Sequence, residues 1–163
     1  MDSIEKQLIG RSAAMSLIIA EHFGQRPERV VVDFESEGNT YGLQRRRLDA
    51  WGSPRMERCY LVGFEIIPLL AEAAESYSIS AEEAVEDSWN DLRQAGLVQG
   101  ELDDELEGEE FAETVSLAEE VVELLDNNCE AIEEVADILV AKQELQYTEI
   151  DEVLDRFNLV FAG

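Results

Sequence analysis

Apolar positions are densest near the start of the chain. Ile4, Leu8, Met15, Ile18 and Ile19 follow helical spacing between Ile4 and Phe23. Within that stretch the run Ser12-Ala13-Ala14-Met15-Ser16-Leu17-Ile18-Ile19-Ala20 carries no charge. A helix apolar on nearly every side is one around which other elements pack, so this segment is predicted to be the central helix. Asp2 or Ser3 can cap its start, and Glu5 lies in the first turn, where the helix dipole favours an anion. Gly24 and Pro27 supply the stop.

The pattern then changes period. Arg29-Val30-Val31-Val32-Asp33-Phe34 is short and β-branched and predicts a strand. Glu37-Gly38-Asn39 makes a turn, and Thr40 to Gln44 returns as the partner strand. Trp51-Gly52-Ser53-Pro54 marks a loop. A second apolar segment, Met56 to Ala74, offers Leu61, Val62, Phe64, Ile66, Ile67, Leu69 and Leu70 to a core. Pro68 inside it predicts a kink or two shorter helices. Ser80-Ala81-Glu82-Glu83 is a capping box that opens a helix through Trp89 and Leu92 to about Ala95, ended by Gly96.

Gly100 to Gly108 is dominated by acidic residues and is expected to be an exposed loop or a frayed helix. From Glu110 the helical period returns, with Phe111, Val115, Ala118, Val122 and Leu125 as one stripe. Asp126-Asn127-Asn128 interrupts it, and Ile132, Val135, Ala136, Leu139 and Val140 form the next helix. Thr148 is predicted to cap a short helix from Glu149 to Arg156. The fold class expected is therefore mainly α, with one small β-hairpin and a C-terminal helical hairpin. A single domain over residues 1–163 is expected: a core with the hairpin at 1–99, an acidic loop at 100–109, and the helical hairpin with its short helix at 110–163.

Composition narrows the function. The 163 residues, 45% of them hydrophobic, are enough for a real core. The uncharged run is shorter than the roughly 20 apolar residues a membrane span needs. Glu21 and His22 follow it where a signal peptide would place small residues. Cys59 and Cys129 form no disulfide framework or zinc-finger spacing, and reduced thiols in a cytoplasmic protein are expected.

The net charge of −26 is uneven. Residues 1–65 hold nine basic and ten acidic side chains, whereas residues 66–163 hold three and 28. Such a surface repels nucleic acid and anionic lipid and favours basic protein partners. The one basic cluster, Arg45-Arg46-Arg47, has no glycine-rich loop beside it. It is expected to meet an acidic face, in cis or on a second subunit, so a protein partner or a homodimer is anticipated.

The C-terminal pattern resembles a known family. Glu119-Glu120-Val121-Val122-Glu123-Leu124-Leu125-Asp126-Asn127-Asn128, then Ile132-Glu133-Glu134-Val135-Ala136-Asp137-Ile138-Leu139, then Lys142-Gln143-Glu144-Leu145 and Glu149-Ile150 are similar to the last helices of the peptidase domain of FtsH-type ATP-dependent zinc proteases. Asn90-Asp91-Leu92 with Ala95 resembles the segment carrying that family's aspartate zinc ligand. The first helix followed by Val30-Val31-Val32 resembles its zinc helix and strand. The resemblance implies a peptidase-like fold, and it assigns Asp91 to the ligand-like position.

The departures from that family decide what chemistry is expected. Its zinc helix carries His-Glu-x-x-His, two imidazoles one turn apart with a glutamate that activates water. Here Arg11 and Met15 stand at the histidine positions and Ser12 at the glutamate. Arginine is a fixed cation that repels Zn²⁺, methionine binds zinc poorly, and serine cannot replace a carboxylate base. No phosphate-cradling Gly-x-x-x-x-Gly-Lys-Ser/Thr is present, so no ATP, metal or other cofactor is expected.

Other catalytic sources are thin. His22, the only histidine, is expected to interact with the end of its helix. Cys59 lies just before a buried segment and is read as core. Acidic pairs such as Asp103-Asp104 and Glu109-Glu110 lack the spacing of a calcium loop. Three classes of function follow. The first is a non-catalytic, peptidase-like module that binds or regulates another protein. The others are a hydrolase with an unrecognised site and an acidic decoy that imitates nucleic acid.

Overall fold

The computed structural model describes residues 2–37, 40–45, 54–73, 80–101 and 108–157. Of these, 72% are helical, with a small three-stranded antiparallel sheet, so the protein is mainly α with a small β part. Among the described residues no helix is long and apolar enough to cross a membrane. The chain divides into two compact units, Met1–Ala50 with Leu124–Gly163, and Trp51–Glu123.

The first unit is built around α1, Ser3–His22. Asp2 caps it, its carboxylate accepting the Glu5 N–H at 2.8 Å. Every residue from Ala13 to Ala20 is buried, as the uncharged run requires. The stop is the glycine at 24: it takes φ 73°, Gln25 N–H reaches Ala20 O at 2.8 Å, and Gly24 N–H reaches Glu21 O. These two bonds form a Schellman cap, which satisfies carbonyls the helix would leave open.

Strands β1 (Pro27–Val32) and β2 (Tyr41–Arg45) form the expected hairpin, with Val30 opposite Leu43. The expected turn at Gly38-Asn39 lies outside the described residues. The sheet has a third strand that the pattern does not announce, β3 at Glu144–Gln146, giving the order β2-β1-β3. Leu145 is buried opposite Val30. Three residues are too few to carry a period of their own, and this strand exists because it pairs with the edge of β1.

Helix α6, Cys129–Lys142, packs along α1, while α7, Tyr147–Arg156, packs on β1. Gly10 permits the close α1–α6 approach: a β-carbon there would lie 2.8 Å from Val140 Cγ2 and 3.1 Å from Ala136 O. The cap of α7 is Gln146, not Thr148, which is exposed. Gln146 N–H donates to the Glu149 carboxylate at 3.3 Å, and pairing of β3 decides where the chain turns.

In the second unit α2, Pro54–Ala73, continues through Pro68 as one helix, so of the expected kink or two shorter helices the division does not occur. Pro68 is exposed, so the missing hydrogen bond falls on the outer side, while buried Ile66, Ile67, Leu70 and Ala71 hold the helix inward. Ser80 caps the next helix, accepting the Glu83 N–H at 3.2 Å. The helix expected to reach Ala95 is instead two, α3 at Ala81–Asp87 and α4 at Trp89–Gln94, parted at buried Ser88. Gly96, at φ 78°, ends α4 with the same pair of capping bonds that Gly24 makes.

The Trp89 indole donates to Gly100 O at 2.9 Å. Glu110 accepts the N–H groups of Gln99 and Gly100 at 2.8 to 3.1 Å, tying that loop to the start of α5, Glu109–Asn127. Helix α5 belongs to the second unit as far as Glu123 and to the first from Leu124. The break expected at Asp126 to Asn128 narrows to Asn128, whose buried amide donates to Leu124 O at 2.8 Å. The expected acidic loop lies mostly at 102–107, and the Trp51-Gly52-Ser53 loop at 51–53; both are outside the described residues.

Candidate functional site

Arg11, Ser12 and Met15, expected at degenerate zinc-helix positions, lie on α1. Arg11 and Ser12 are half-buried, and Met15 is 6% exposed. The Ser12 hydroxyl donates to Leu8 O at 2.9 Å, and Ser16 repeats the bond one turn on, donating to Ser12 O at 2.9 Å. Short hydroxyl side chains in a helix satisfy themselves in this way when they face packed surroundings. The set does not fit zinc: a guanidinium, a hydroxyl committed to its own helix and a buried thioether provide no ligand pair one turn apart.

Asp91 lies in the first turn of α4, exposed, in the second unit. Its nearest chemical consequence is on α2, where Glu65 is half-buried. Burial raises the Glu65 carboxyl above its ordinary value, and the charge of Asp91 adds to that. Among the described residues no three histidine, cysteine or acidic side chains converge as a metal site.

Arg45 ends β2 opposite Pro27, while Arg46 and Arg47 lie outside the described residues. Among the described residues, arginine–carboxylate pairs join α2 to α5. Arg55 donates to Glu120 at 2.6 Å and Arg58 to Glu113 at 2.7 Å, both joining α2 to α5. The bond from Glu120 is also the first cause of the raised Arg55 pKa.

The remaining candidates are occupied by structure. Cys59 is buried and its thiol donates to Leu117 O at 3.4 Å. Burial first, and the Glu120 charge second, push that thiol up to about 12, which disfavours the thiolate. Cys129 is exposed, and its thiol is raised by partial burial, then by Asp126 and Glu133. His22 packs edge-on against Phe23, with ring centroids 4.6 Å apart, in the last turn of α1.

The best-built polar cluster is one that sequence reasoning missed. Arg26, just after α1, donates to both oxygens of Glu21 at 2.6 and 2.8 Å, to Asp151 at 3.0 Å and to Asp155 at 3.4 Å. The Glu21 bond is the main reason its guanidinium pKa is raised, against the opposing effect of burial. Glu21 and Arg26 lie near one another in sequence, but Asp151 is 125 positions away and no local pattern links it. One cation held among three carboxylates ties α7 to the end of α1.

Compared with known proteins, the chain matches no family model and no curated protein.

Proposed function

We propose that the chain is a non-catalytic relative of the FtsH-type protease domain, acting as a module that binds or regulates another protein. The observation that supports this most is the state of the α1 face. Met15 is buried and Ser12 is bonded to Leu8 O, so the positions that resemble a catalytic helix serve packing. The strongly acidic second part of the chain favours a basic protein surface as partner, or a second copy presenting Arg45, Arg46 and Arg47.

The test is chemical. Protein purified without chelator is expected to carry no stoichiometric zinc and to leave casein intact, with or without ATP. One zinc per chain, lost together with a proteolytic activity, would overturn the reading in favour of a hydrolase. Sedimentation at low and high salt reads the second half of the proposal, because association through charged contacts loosens as salt screens them.

A further inference from the structure

We draw no further inference here: the strongest candidate, the outer edge of β2 from Tyr41 to Gln44 at one end of the three-stranded sheet, is an edge for which nothing in the structure shows what covers it.

Discussion

The α1–α6 contact and the β3–α7 segment both pack against β1 in the first unit, by different chemistry. Where α1 meets α6, Gly10 lets the backbones approach and buried alanine, leucine and isoleucine side chains fill the seam. Dispersion and burial hold it, so it is indifferent to salt and intolerant of a change in volume. The C-terminal segment buries fewer apolar side chains and adds guanidinium and ammonium contacts to carboxylates. Those contacts fix direction and register, but each contributes little where it is wet. The α1–α6 seam is therefore held by shape, whereas the C-terminal segment adds charged contacts to the burial of Leu145, Ile150, Val153 and Leu154.

The largest expected effect breaks the apolar side of that comparison. Leu17→Ala removes a fully buried side chain and should cost about 3 to 4 kcal/mol, read by urea unfolding. The loss should be the same at low and high salt; a loss that shrinks as salt is added would show that charge also holds α1. Met15→His is next, because it places a polar ring where the thioether is 6% exposed. It should cost about 2 kcal/mol. Combined with Arg11→His and Ser12→Glu it should give a less stable protein and no protease. Zinc-dependent casein cleavage by the triple variant would show that the α1 face can still work as a site.

The smallest effect sharpens the ionic side. The Glu149 carboxyl is held below its ordinary value, first by the hydrogen bond from Lys142 and then by the Gln146 N–H. The folded protein therefore holds the ionised form more firmly than the unfolded chain does. That contribution is present above the ordinary value of 4.5 and is lost as the pH falls through the lower, folded-state value. Because the pair is exposed, overall stability should hardly move. An NMR titration of the Glu149 side chain should show a midpoint below 4.5, and Lys142→Met should move it upward. A midpoint that ignores Lys142 would show that this contact does not hold Glu149 in solution.

The legible features are those whose causes lie within a few residues. Asp2 and Ser80 cap helices because their oxygens reach N–H groups three positions on, and such spacing is visible in the chain itself. Gly24 and Gly96 stop helices because each takes a positive φ that other residues avoid. Pro68 does not divide α2, because proline breaks a helix only when the backbone bond it removes cannot be spared. The tertiary packing of α2 turns it outward, where it can be. At the candidate site the residue types at 11, 12 and 15 were legible as lacking ligands, but the bond from Ser12 to Leu8 and the burial of Met15 depend on what surrounds α1.

By itself the sequence determined that helices dominate, where most of them begin and end, which one is apolar all round, and that negative charge gathers in the second part of the chain. Those properties follow from backbone conformation, helical period and ionisation, which act over one or two turns. Tertiary structure alone decided that Glu144–Gln146 becomes a strand, that Gly10 faces Ala136 and Val140, and that Arg26 finds Asp151 and Asp155. Each of these joins residues more than a hundred positions apart. Such a contact forms only when the elements between them have folded and brought both ends to the same place.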